Sequence, residues 1–127
     1  MKLQESGEMY LETIKVLSEE LDAVRSIDIC AYMNYSKPSV SRAVKNLKNE
    51  GYIDVDKNGH ITLTDTGLSI AETIHERHVV LSSMLMGLGV DEKTALEDAC
   101  RMEHVISAES FEAIKAHLKQ DHPETFK

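Results

Sequence analysis

Residues 100–105, with the sequence CRMEHV, place three metal-binding side chain types within five residues. In a helix, Cys100, Glu103 and His104 occupy positions i, i+3 and i+4, which fall within about a third of the helix circumference. A thiolate, a carboxylate and an imidazole on one face can chelate a divalent transition metal. The spacing therefore predicts a metal site, and its alternative is a small buried cysteine that only packs in the core.

Length, charge and cysteine content restrict the class of protein. The chain has 127 residues, of which 42% are hydrophobic, enough for one compact unit or two small subdomains. No apolar run approaches the roughly 20 residues of a membrane span, and only two cysteines are present, Cys30 and Cys100. We therefore expect a reduced, cytoplasmic protein without a disulfide framework. The net charge of -8 argues against general nucleic-acid affinity, so DNA binding would need a local basic patch.

The spacing of apolar residues predicts a mainly helical chain with one β-hairpin. Asn58-Gly59 separates two short alternating runs, which is a strong hairpin signal. Ser26 is the expected cap of a short second helix, and Pro38 fits the first turn of the third. The predicted helices cover residues 4–21, 26–32, about 37–50, 65–87, 91–106 and from Ser107 to just before Pro123.

This order of elements predicts the fold class and the domains. Two short helices joined by a turn and followed directly by a hairpin form a winged helix-turn-helix, in which the second helix enters the major groove of DNA. We expect this domain over residues 1–71 and an all-helical domain over residues 72–127. The predicted boundary lies inside the long fourth helix, without a flexible linker.

The third helix has the composition of a DNA recognition helix. Four basic residues against the single Glu50 give it a local charge of +3 in a chain of net charge -8. Short hydroxyl side chains near its start can reach phosphates or base edges, and the hairpin loop can contact a neighbouring phosphate. The alternative is a solvated basic helix in an ordinary helical protein. The predicted DNA-contacting residues are Ser36, Lys37, Pro38, Ser39, Ser41, Arg42, Lys45, Lys57 and Asn58.

Three segments carry a resemblance to a known family. At residues 7–12 (GEMYLE), 37–41 (KPSVS) and 98–107 (DACRMEHVIS) the chain resembles the diphtheria-toxin repressor family of metal-dependent regulators. The resemblance covers essentially the whole chain. It implies a helical second domain for metal binding and dimerisation, and a homodimeric repressor that binds palindromic operator DNA when loaded with metal. It implies no enzymatic activity, and from the length of 127 residues we do not expect the SH3-like domain of many members.

The resemblance also implies a ligand set that mixes two branches of the family. Met9 and Cys100 match the iron-sensing branch, where the manganese-sensing branch has carboxylates, and sulfur ligands favour iron over manganese. Glu12 and His78 instead match a second metal position of the manganese branch. We expect Fe(II), with Mn(II) as the alternative. The implied metal ligands are Met9, Glu12, His78, Cys100, Glu103 and His104.

Two other classes of protein remain as alternatives. A redox sensor would use oxidation of Cys100 or Cys30 to change DNA affinity, since a thiol near basic groups can have a lowered pKa. A metallohydrolase is superficially suggested by His75 and His78, but their spacing is one residue short of the i, i+4 pair of zincins. We therefore do not expect an enzyme.

Overall fold

The computed structural model describes residues 5–121, which form six helices and one two-stranded antiparallel sheet. The predicted fold class, mainly helical with a small hairpin, is confirmed. Residue 4, the predicted first residue of the first helix, lies outside the described residues. The elements are α1 (Glu5–Glu20), α2 (Ser26–Met33), α3 (Lys37–Asn49), β1 (Ile53–Val55), β2 (Ile61–Leu63), α4 (Asp65–Gly87), α5 (Glu92–Met102) and α6 (Ala108–Asp121).

The chain divides into two compact units between Thr73 and Ile74, within α4. The first contains α1 to α3, the hairpin and the start of α4. The second contains the rest of α4 with α5 and α6. Each has its own apolar cluster, which is larger and mostly aliphatic in the first unit and includes Phe111 in the second. No helix within residues 5–121 is both long enough and apolar enough to cross a membrane.

The first unit is built around α1, which buries Leu11 and Ile14 completely. Ile29 of α2 and Val40 of α3 are fully buried in the same cluster. Asn34 ends α2 in the left-handed conformation, with φ of 58°, so that the chain turns sharply into α3. These residues set the crossing of the two helices in the helix-turn-helix.

The hairpin pairs Val55 with Ile61, leaving a five-residue loop over residues 56–60. It is held to the helices on both sides. The N–H of Ile61 donates to the carbonyl of Val24 at 2.7 Å, in the segment between α1 and α2. After β2, Gly67 of α4 lies so close to the main chain of Tyr52 that a Cβ would be 2.0 Å from its carbonyl oxygen.

Two predicted helix ends are wrong. The cap of α2 is Arg25 and not Ser26, because Asp28 accepts a hydrogen bond from the backbone N–H of Arg25 at 2.9 Å. Helix α5 ends at Met102 rather than near residue 106. Residues 103–106 form a tight turn, in which the N–H groups of residues 105 and 106 both donate to the carbonyl of Met102.

Candidate metal centre and DNA-binding surface

The carboxylate of Glu103 is completely buried between two imidazole rings of the second unit. Its Oε2 is 2.9 Å from Nδ1 of His78, and its Oε1 is 3.3 Å from Nε2 of His104. The side chains of Glu103 and His104 have no exposed area, and that of His78 is 28% exposed. A buried carboxylate is costly unless it is paired, and of the two rings it is that of His78 which lies at hydrogen-bonding distance.

The donor types fit a divalent cation. Imidazole nitrogen and carboxylate oxygen are ligands of iron, zinc and manganese sites. Oε1 of Glu103 is buried and makes no geometrically acceptable hydrogen bond to any described residue. The contacts are pairwise: within residues 5–121, no three His, Cys, Asp or Glu side chains form a group that could hold a metal ion. The described residues thus place metal-binding side chain types around the carboxylate of Glu103, but they do not form a complete set of ligands.

These side chains come together from a helix and a turn. His78 lies on α4, Glu103 is the C-cap of α5, and His104 lies in the turn that follows. The expectation that Cys100, Glu103 and His104 share one continuous helix is wrong, because α5 ends at Met102. Cys100 lies in the last turn of α5 and is half-buried.

The six predicted ligands are distributed over both units. His78, Glu103 and His104 meet in the second unit, which also contains Cys100. Met9 and Glu12 lie on α1 in the first unit, and both are half-buried.

Arg77 is a residue of this region that the sequence analysis missed. Its Nη1 donates to the carbonyl oxygen of Glu103 at 3.2 Å and to that of Ile106 at 3.0 Å. The guanidinium carbon lies 5.5 Å from the ring centroid of Phe111. The only signal in the sequence was its position next to His78, because nothing local marks a contact between residues 26 or 29 positions apart.

Helix α3 presents the polar surface that its sequence predicted. Its apolar residues Val40, Val44 and Leu47 are buried. The Ser36 hydroxyl caps the helix, accepting from the N–H of Ser39 at 3.3 Å. Ser39 is half-buried, whereas the other predicted DNA-contacting residues are exposed: Ser36 at the cap of α3, Lys37, Pro38, Ser41, Arg42 and Lys45 on α3, and Lys57 and Asn58 in the hairpin loop.

The hairpin loop is organised by Asp56. Its Oδ1 accepts from the N–H groups of Asn58 at 2.8 Å and His60 at 2.9 Å. The hydrogen bond from the His60 backbone, joined by that from Asn58 and by the charges of His60 and Arg25, outweighs partial desolvation and lowers the pKa of Asp56. Nη2 of Arg25 lies 3.1 Å from Nε2 of His60, which links the loop to the start of α2.

Comparison with known proteins identifies the family. The family model described as "Iron dependent repressor, N-terminal DNA binding domain" matches residues 2–61, and "Iron dependent repressor, metal binding and dimerisation domain" matches residues 64–125. A helix–turn–helix transcriptional regulator of Methanocaldococcus jannaschii, itself uncharacterised, is 32% identical over 120 residues, 93% of this chain and 96% of that protein. The chain belongs to the iron-dependent repressor family. The predicted resemblance is thereby confirmed.

Two further proteins are similar to this chain over most of its length. The diphtheria toxin repressor of Corynebacterium diphtheriae is 32% identical over 108 residues, 84% of this chain and 48% of that protein. The solved structure of the manganese regulator SloR superposes with a TM-score of 0.80 at 29% identity, covering 94% of this chain and 55% of SloR. The chain thus spans about half the length of these two proteins. The family consists of transcriptional repressors and not of enzymes, as predicted.

Proposed function

We propose that this member of the iron-dependent repressor family acts in the cytoplasm as a homodimer that binds palindromic operator DNA when loaded with a divalent metal. One observation carries the metal dependence: the buried carboxylate of Glu103 lies between His78 and His104. The exposed basic face of α3 supports the DNA contact, with the positive residues standing against a net charge of -8. The proposed DNA-binding residues are those predicted on α3 and in the hairpin loop.

The proposed metal is Fe(II), with Mn(II) as the alternative. Met9 and Cys100 would supply sulfur, which favours iron, whereas Glu12 would supply the oxygen that manganese prefers. The contact between His78 and Glu103 supports a role for His78 beside the same carboxylate. The relatives do not decide the metal, since the matching family is described as iron-dependent and SloR is a manganese regulator.

The deciding experiment is anaerobic fluorescence anisotropy on DNA from upstream of the protein's own gene. Binding is compared in chelator, Fe(II) and Mn(II) at fixed salt, because salt alone shifts such affinities strongly. We expect tight binding only with metal, and at lower free Fe(II) than Mn(II). An equal or stronger response to Mn(II) would make this a manganese regulator, and equal binding in chelator would contradict metal control altogether.

Conservative variants then test the site itself. Glu103→Gln and His104→Gln should each abolish the metal-induced increase in DNA affinity, because they remove a ligand while keeping the volume of a buried side chain. Glu76→Gln is the matched control, since Glu76 is a carboxylate of the same unit whose partner is Lys115 at 3.1 Å. Circular dichroism in chelator verifies folding. A full metal response in Glu103→Gln would reject this site.

A further inference from the structure

We propose that Arg77 is a positioning residue for the metal centre, acting through the turn of residues 103–106, which we call the ligand turn. This inference rests on the proposed function, because it assumes that Glu103 and His104 bind the metal. Arg77 cannot itself be a ligand, since a guanidinium stays protonated and offers no lone pair. Its effect must therefore be transmitted through the main chain that carries the two ligands.

The guanidinium joins the two ends of the ligand turn. A single nitrogen, Nη1, donates to the carbonyl of Glu103 at 3.2 Å and to that of Ile106 at 3.0 Å. The carbonyl of Glu103, the C-cap of α5, lacks a partner within the helix and lies at its negative end. A cation that bonds to both carbonyls fixes their separation and stabilises this charge, so it holds the turn in one conformation.

The surroundings of Arg77 keep the guanidinium in that place. Its Nε is buried and makes no hydrogen bond to a described residue, and its carbon lies 5.5 Å from the centroid of the Phe111 ring. A half-buried guanidinium whose Nε lacks a hydrogen bond to the described residues depends more strongly on the bonds that it does make. The aromatic face compensates part of this cost by a cation–π contact. The guanidinium has little freedom to leave the carbonyls.

Two consecutive residues of α4 contact Glu103, a proposed metal ligand. Arg77 bonds to the main-chain carbonyl of Glu103, and His78 contacts its carboxylate at 2.9 Å. The backbone and the side chain of Glu103 are thus fixed separately from one helix, and His104 follows directly in the chain. Loss of the Arg77 contact would free the backbone of Glu103 and would therefore also move His104, the next residue.

Metal binding by the apo-purified full chain tests this role, with Co(II) as the probe. Its visible absorption reports the coordination of the ion, and a competing chelator gives the dissociation constant. We expect Arg77→Met to weaken Co(II) binding about tenfold to a hundredfold and to change the absorption spectrum, the usual effect of losing a group that orients ligands. Arg77→Lys should weaken binding about tenfold, because its single ammonium retains the charge but not the planar geometry.

Lys115→Met is the matched control, because it removes another cation of the same unit, bound to Glu76 at 3.1 Å, and should leave Co(II) affinity unchanged. Circular dichroism in chelator checks folding, and Arg77→Lys decides if Arg77→Met does not fold. If the folded Arg77 variants keep the wild-type Co(II) affinity and spectrum while Glu103→Gln loses binding, the inference about Arg77 is overturned and the proposed function stands. Wild-type binding by Glu103→Gln would overturn both the proposed function and the inference.

Discussion

Within residues 5–121, the buried carboxylate of Glu103 contacts two imidazoles, those of His78 and His104. The sequence alone indicated Glu103 and His104 as candidate metal ligands, since the CRMEHV segment combines side chains that bind metals. The burial of Glu103 and its contact with His78 were not predictable, because both depend on residues 25 positions away in the chain. Arg77 was missed for the same reason: it acts on main-chain carbonyls, which leave no mark on the sequence.

A second single residue, Asp56, should make the free energy of unfolding depend on pH. Folding lowers its pKa, so the ionised carboxylate favours the folded state; this contribution is present above the ordinary pKa of about 4 and is lost as pH falls through the lowered value. We therefore expect the wild type to exceed Asp56→Asn in unfolding free energy at pH 7, and the difference to shrink towards pH 2.5.

Urea unfolding followed by circular dichroism measures this difference, and the other carboxylates cancel because they titrate in both proteins. Asp54→Asn, an exposed carboxylate of β1, is the matched control and should show no such change. A difference between wild type and Asp56→Asn that stays constant across the whole range would contradict the assignment.

At the scale of elements, periodicity predicted every helix and the Asn-Gly pair predicted the hairpin, because these signals are local. The end of α5 was mispredicted, since its sequence remains compatible with helix beyond Met102. There the carbonyls of Glu103 and Ile106 bond to Arg77 on another helix. The cap of α2 was missed because the acceptor is Asp28, three residues into the helix, and not the hydroxyl of Ser26.

The junction between the hairpin and α4 should not tolerate a larger residue at position 67. Gly67→Ala would place a Cβ 2.0 Å from the carbonyl oxygen of Tyr52, so the main chain must shift. We expect a loss of about 1–3 kcal/mol in unfolding free energy, typical of overpacking. Thermal and urea unfolding measure it, with Thr66→Ala on the exposed face as control. If Gly67→Ala is as stable as the wild type, residue 67 does not lie this close to the carbonyl oxygen of Tyr52.

The basic face of α3 should be detectable through salt dependence. Lys45→Ala is expected to weaken operator binding by a similar factor for all sequences and to reduce the slope of log affinity against log salt by about 1, as for the loss of one phosphate contact. Anisotropy at several salt concentrations measures the slope. Lys93→Ala, an exposed lysine of α5, should leave it unchanged. An unaltered slope in Lys45→Ala would remove this lysine from the DNA surface.

At the scale of the whole molecule, the two compact units divide inside a continuous helix, which explains why no linker composition marks their boundary. If metal raises DNA affinity, thermodynamic linkage requires DNA to raise metal affinity by the same factor. We expect a factor of about 5–150, the usual range of such coupling. Metal titrations with and without saturating operator, set against DNA titrations with and without metal, measure both values. A factor of one in these titrations would contradict metal control of DNA affinity.

The buried Glu103 carboxylate also bears on how long the protein survives in a cell. In the part of the chain that the structure describes, its contacts are with imidazoles. Free metal at a hundred times its dissociation constant would add about 2.7 kcal/mol of stability. Changes of about 1–2 kcal/mol alter the abundance of a protein several-fold, because proteases remove the unfolded fraction. We therefore expect metal starvation to shorten the half-life of the wild-type protein but not that of Glu103→Gln, so that the supply of metal also sets the number of repressor molecules.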